Sequence, residues 1–134
     1  MAFQFSVAVR NAELDPIETT IGTAPLLRFY SGSEPANCAA SASGTLLAEL
    51  TLPSDWMNDA ASGAKTLKGS WTGTVTTGGT AGYFRILDSS GTTCGIQGSV
   101  TASGGGGDLT LDNNVLGLGQ TITINTFTMT AGNA

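Results

Sequence analysis

The chain has 134 residues, of which 40% are hydrophobic and only 11% are charged, with a formal net charge of −5 and no histidine. This length predicts one domain with one core. The acidic balance argues against a nucleic-acid partner, because phosphate binding needs a basic surface. The lack of histidine excludes Ser-His-Asp triads, histidine zinc sites and histidine general bases. Scarce charge and 19 glycines indicate strands joined by tight turns.

The N-terminus alternates apolar residues with small or polar ones, at Phe3, Phe5, Val7 and Val9. This period of two is typical of a strand. We therefore expect residues 1–14 to form an N-terminal arm that adds a strand to the sheet or to a neighbouring subunit. The segment lacks the basic region and long apolar run of a secretory signal, and no stretch of the chain approaches a membrane span, so we expect no membrane partner.

Residues 15–22 carry the signals of a short helix. Asp15 fits the N-cap, Pro16 the first helical position and Glu18 the reciprocal cap, and Gly22 would end the helix within two turns. An alternative is one helix from Ser6 to Ile21. Pro16 would fall in the middle of that helix and remove a hydrogen bond, so the sequence favours the short helix.

Seven to nine short strands follow, separated by turn residues at the spacing of a sandwich. The sequence therefore predicts an all-β fold: a single β-sandwich, jelly-roll-like or immunoglobulin-like, over residues 15–134. Ser54–Met57 is expected to form a capped helical turn and residues 31–44 a long loop. The clearest strands are Leu26–Tyr30, Leu46–Leu52, Lys68–Thr77, the hairpin of Tyr83–Asp88 with Thr92–Thr101, Leu109–Leu111 and Thr121–Thr130.

The last strand changes phase along its length. Ile122 and Ile124 face one side, whereas Phe127 and Met129 face the other. Either a bulge lies near residues 125–126 or both faces are covered, one of them by a partner.

The sequence offers only weak signals for a catalytic, phosphate-binding or metal site. Most carboxylates lie in predicted turns or caps, and the glycine run at residues 104–107 lacks the Lys-Ser/Thr of a phosphate loop. We therefore expect no enzymatic activity, no cofactor and no metal site. Cys38 and Cys94 could pair in a disulfide, but the sequence favours two reduced thiols, with Cys94 a small core residue. Trp56 and Trp71 are expected to pack, although an exposed Trp56 could stack on a sugar.

Four segments, taken in order, resemble small structural proteins of tailed bacteriophages and prophages: residues 10–22 (RNAELDPIETTIG), 50–57 (LTLPSDWM), 81–86 (AGYFRI) and 90–94 (SGTTC). The likeness spans most of the chain, but Pro16 departs from it, because a helix former is expected there. The resemblance implies a virion component of the head decoration (cement) type, made in the bacterial host cytoplasm and placed on the capsid surface. It also implies that the partner is the major capsid protein and that the chain forms a homo-oligomer, for which a trimer is the expected form.

The alternatives are a tail, neck or fibre-tip component, and a carbohydrate-binding module for the host surface. The hypothesised contact residues are Phe3, Phe5 and Val7 in the arm, Trp56 in the turn after Pro53, and Phe127 and Met129 on the odd face of the last strand.

Overall fold

A computed structural model describes residues 3–134, so Met1 and Ala2 of the predicted arm lie outside the described residues. Within that range the chain forms one helix and ten strands, which confirms the β-rich class. The elements are α1 Val7–Ile21, β1 Leu26–Ser31, β2 Leu46–Thr51, β3 Ala64–Thr66, β4 Trp71–Thr74, β5 Gly79–Leu87, β6 Cys94–Ala102, β7 Leu109–Leu111, β8 Val115–Leu116, β9 Thr121–Ile124 and β10 Thr128–Thr130.

The largest sheet, here the main sheet, has the strand order β2-β1-β5-β6-β7, and β8 pairs with the start of β5. Its pairs are antiparallel except β6 with β7, which run parallel. Two further sheets have two strands each, β4 with β9 and β3 with β10. Leu27 pairs with Ile86 and Phe29 with Phe84, so these four side chains share one face, here the front face.

The core lies on the front face and is joined by four aromatic side chains. The ring of Trp71 lies 6.1 Å from Trp56 and 5.7 Å from Phe127, and Phe127 lies 5.7 Å from Phe84 of the main sheet. All four are at most 6% exposed. They join β4, β5 and the start of β10 in one core, and they confirm that Trp56 and Trp71 pack.

The N-terminal helix is longer than predicted. It begins after Ser6, whose side chain accepts a hydrogen bond from the Val9 N–H at 3.2 Å, and Pro16 lies inside it. The predicted N-cap at Asp15 and the extended arm through residue 14 were therefore wrong, and the alternative helix from Ser6 to Ile21 is the one observed. Gly22 ends the helix as predicted, with φ at 100° and its N–H donating to the Glu18 carbonyl.

Tertiary contacts explain why α1 runs through Pro16. Leu14 is buried, and the Asn11 side-chain oxygen accepts the Gly63 N–H at 2.9 Å. Lys65, which lies in β3, forms ion pairs with the carboxylates of Asp15 and Glu18. These contacts offset the backbone hydrogen bond that proline cannot donate.

Three further expectations need correction. Ser54–Met57 is not helical, because Met57 instead forms a β-bridge with Leu67. The last predicted strand divides at residues 125–127 into β9 and β10, which pair with different strands, so its phase change is a break and both halves face the core.

Cys94 does not lie in the core. The register of β5 and β6 shifts at Gly95, since Ile86 pairs with Ile96 but Leu87 pairs with Cys94. Cys94 therefore lies on the opposite, back face of the main sheet, whereas Ile96 stays on the front.

We expect Pro16→Ala to stabilise the fold by about 1–2 kcal/mol, because it restores an N–H donor inside α1 at an exposed position. Urea unfolding measures the change. Thr19→Ala is the matched control, an exposed position of the same helix without a proline, where we expect a gain below about 0.5 kcal/mol. A loss of stability in Pro16→Ala would contradict a continuous helix.

Candidate interaction surface at the N-terminus

The most exposed apolar side chains at the N-terminus are Phe3, Val7 and Val9, which are 67%, 48% and 45% exposed. Phe5 is half-buried, and its ring meets that of Phe3 edge-on at 5.2 Å between centroids. We call these four residues the N-terminal apolar surface. Elsewhere in residues 3–134, the large exposed apolar side chains are Leu46, Val115 and Leu118.

The N-terminal apolar surface is tied to the body of the protein. The Phe5 N–H donates to the Asn133 carbonyl at 2.6 Å, and the Gln4 side chain donates to the Ala134 carbonyl at 3.2 Å. The segment before α1 is thus held beside the C-terminus. A partner would meet apolar groups that are already ordered, which lowers the entropic cost of binding.

Lys65 fixes the middle of α1. Its ammonium is 2% exposed and lies 3.1 Å from Asp15 Oδ1, 3.3 Å from Glu18 Oε2 and 3.0 Å from the Asn58 carbonyl. A buried ammonium is costly unless such partners surround it. The helix is therefore anchored to β3 about two to three turns beyond its exposed apolar end.

Asp15 also receives the Ala60 N–H at 2.8 Å. This backbone hydrogen bond and the one from Lys65 lower the pKa of the Asp15 carboxyl below its ordinary value of 3.8. The ionised carboxylate is therefore the form that the fold stabilises.

The turn at residues 61–64 contacts the N-terminal half of α1, at Arg10 and Asn11. Gly63 has φ at +76°, and a side chain there would run into the guanidinium of Arg10. Glycine is needed at this position for both reasons. The Gly63 N–H and carbonyl bind Asn11 and Ala131, so the same turn also holds the C-terminal segment.

The structure brings together only part of the predicted contact set. Phe3, Phe5 and Val7 lie in the N-terminal apolar surface. Trp56 is fully buried, with its indole N–H donating to the Gly22 carbonyl at 3.0 Å, and Phe127 is 6% exposed. Neither side chain is therefore available on the surface. The turn of Trp56 folds inward beneath the end of α1, and Phe127 packs against Trp71 and Phe84 in the core.

Met129 lies apart from that surface. It is half-buried and lines an open cleft of about 330 Å³ together with Phe127, Ile96, Gln97 and Asp108. None of the N-terminal residues borders this cleft. Met129 is therefore not part of the N-terminal apolar surface.

Sequence reasoning missed the exposed side chains of Val115 and Leu118, which are 58% and 76% exposed. Leu118 stands between Gly117 and Gly119, and two flanking glycines signal a turn that cannot bury its central side chain. Lys65 was also missed, because no local pattern marks a lysine that is buried by distant carboxylates.

Comparisons with protein-family models, with curated proteins and with solved structures found no match to this chain. Within residues 3–134, α1 is too short and too polar to span a membrane.

Acid should weaken the contact between α1 and β3. Because the pKa of Asp15 is lower in the folded than in the unfolded protein, its contribution is fully present above pH 3.8 and is lost as the pH falls towards the folded pKa. We expect Asp15→Asn to lose less stability than the native chain as the pH falls below 3.8, measured by urea unfolding on both sides of that value. Parallel curves for the two proteins would contradict the role of Asp15.

Phe127 and Phe3 differ in burial, so truncating each of them compares a core side chain with an exposed one. We expect Phe127→Ala to cost about 3–5 kcal/mol of unfolding free energy and Phe3→Ala less than about 0.5 kcal/mol, because only the first leaves a cavity. The same truncation is made in both variants, so burial is the variable. Equal losses in urea unfolding would show that Phe3 is buried against the body.

Proposed function

We propose that this chain is a tailed-bacteriophage virion protein, a capsid decoration (cement) protein. It would bind the major capsid protein and stabilise the head, made in the host cytoplasm and placed on the capsid surface. We further propose that the fold is a β-sandwich, jelly-roll-like or immunoglobulin-like, and that the working form is a homo-oligomer, a trimer.

The observation that carries this proposal is the N-terminal apolar surface. It comprises the exposed side chains of Phe3, Val7 and Val9, which occur close together in the chain on a segment that hydrogen bonds hold to the C-terminus. Several large exposed apolar side chains in one short segment favour a protein–protein contact there. Burying one such side chain is worth about 1.5–3 kcal/mol before association costs, and many copies on a lattice multiply modest contacts.

Two other properties support the proposal. Charged residues make up only 11% of the chain, and the cores of protein interfaces are depleted in charge. The four segments that resemble tailed-phage structural proteins include residues 10–22, most of which form α1. The surface thus adjoins the first of the segments that carry the resemblance.

The two alternatives differ in their support. A tail, neck or fibre-tip component would use the same surface, so only the partner distinguishes it from a head protein. A carbohydrate-binding module would need an exposed aromatic platform, and the burial of Trp56 and Trp71 weakens that alternative.

The test is co-sedimentation of the purified protein with mature heads that lack decoration, with purified tails alongside. We expect saturable binding to heads, weakened at least about tenfold in the double variant Phe3→Ser/Val7→Ser, because two anchoring side chains are lost. Point variants are used because deleting residues 1–10 would remove the Ser6 cap and the first turn of α1.

Leu118→Ser is the matched control, since it removes an exposed apolar side chain elsewhere and should leave head binding unchanged. Binding lost in Leu118→Ser but kept in the double variant would place the contact at residues 117–120 and overturn the assigned surface. Folded protein that binds tails, or a glycan, but not heads would overturn the decoration role.

A further inference from the structure

Residues 32–44, here the strap, cross the back face of the main sheet. The Tyr83 hydroxyl donates to the Ser43 carbonyl at 2.5 Å and accepts the Ser43 N–H at 2.9 Å. Arg85 donates to the Ala40 carbonyl at 2.8 Å, and Gln97 donates to the Pro35 carbonyl at 2.7 Å. Side chains of β5 and β6 thus hold the main chain of the strap at three points.

Within residues 3–134, none of the strap's own side chains is buried, although the strap covers the buried side chains of Tyr83 and Arg85. A segment that is held by hydrogen bonds and buries none of its own side chains opens at a lower free-energy cost than the core. It is therefore the part of the back face that a covalent link would change most.

A pair of thiols lies where that link would form. Cys38 in the strap and Cys94 at the start of β6 are both free and half-buried, and their sulfurs are 2.8 Å apart. The bulge at Gly95 causes this approach, because it turns Cys94 to the back face. The sulfurs would need to move closer by roughly 0.8 Å to reach disulfide distance.

We propose that Cys38 and Cys94 form an oxidisable dithiol whose disulfide fixes the strap to β6. The inference does not depend on the proposed function, because it rests only on the two thiols and the strap. In a reducing cytosol the pair stays as thiols, and in an oxidising medium it closes.

The oxidant is a low-molecular-weight disulfide such as glutathione disulfide. The Cys38 thiolate attacks one sulfur of that disulfide, which breaks its S–S bond, forms a mixed disulfide on Cys38 and releases one glutathione thiolate. Cys94 then loses its proton to solvent and attacks the Cys38 sulfur, forming the Cys38–Cys94 bond and releasing the second glutathione. Two thiols are oxidised and one glutathione disulfide is reduced to two glutathiones.

The surroundings of Cys94 favour a sequence in which Cys38 attacks the glutathione disulfide first and Cys94 attacks second. Burial raises the pKa of the Cys94 thiol, although the nearby Arg85 guanidinium opposes the shift. The Cys94 thiol also donates towards the Ile96 carbonyl at 3.3 Å. Cys94 is thus a poor first nucleophile but stands in contact with the Cys38 sulfur that it must attack.

The test compares reduced protein with protein incubated in excess glutathione disulfide. We expect the oxidised chain to be a monomer lighter by two hydrogens, with no free thiol left to alkylate. Because the bond joins residues 56 positions apart, thermal unfolding should shift upward by on the order of 5–10 °C. Subtilisin cleavage within residues 32–44 should slow by about tenfold or more. Cys38→Ser and Cys94→Ser are the matched controls, and oxidant should change neither readout in them.

Two results would overturn the proposal. Oxidant that yields only glutathione adducts or cross-linked dimers, in protein shown to be folded, would mean that the two thiols do not close. An intramolecular disulfide that leaves subtilisin cleavage of the strap unchanged would mean that the bond forms without fixing the strap. Both readouts use the native chain, so they do not depend on the folding of the serine variants.

Discussion

The position of α1 depends on the buried ammonium of Lys65. At 2% exposure, this charge is tolerated only because Asp15, Glu18 and the Asn58 carbonyl surround it. Two of these three partners lie on α1, so the helix must rest where both of its carboxylates reach the same nitrogen. Its first turn, which carries Val7 and Val9, is then placed at a set point beside the C-terminus. The exposed apolar surface is therefore a rigid feature of the fold.

The two faces of the main sheet are covered through different kinds of contact: aromatic packing on the front and hydrogen bonds on the back. Aromatic rings from β4 and from the residues before β10 cover the front, where Trp71 and Phe127 pack towards Phe84. The back is covered by the strap, which binds through hydrogen bonds to Tyr83, Arg85 and Gln97. With both faces occupied, the segment at the start of α1 carries three of the six large apolar side chains that are exposed within residues 3–134, namely Phe3, Val7 and Val9. A partner that buries apolar area would gain most there.

Patterns that depend on near neighbours were predictable, whereas long-range placement was not. Apolar alternation predicted β2, strands were also predicted at β1, β7 and the hairpin of β5 with β6, and Gly22 was recognised as the helix end. The extent of α1 was misjudged because the contacts that outweigh Pro16 come from residues 58–65, far along the chain. The burial of two of the predicted contact residues was missed for a similar reason. Trp56 follows a proline in a turn, which suggests exposure, and only the tertiary packing of that turn beneath Gly22 buries it.

We propose that partners bind at the end of the molecule where α1 begins. Hydrogen–deuterium exchange of the protein, free and assembled on undecorated heads, tests it most directly. We expect slower exchange on the heads for the amides of residues 3–13, with residues 115–120 unchanged. Slower exchange confined to residues 115–120, or to the edge strand β7, with residues 3–13 unchanged, would contradict it.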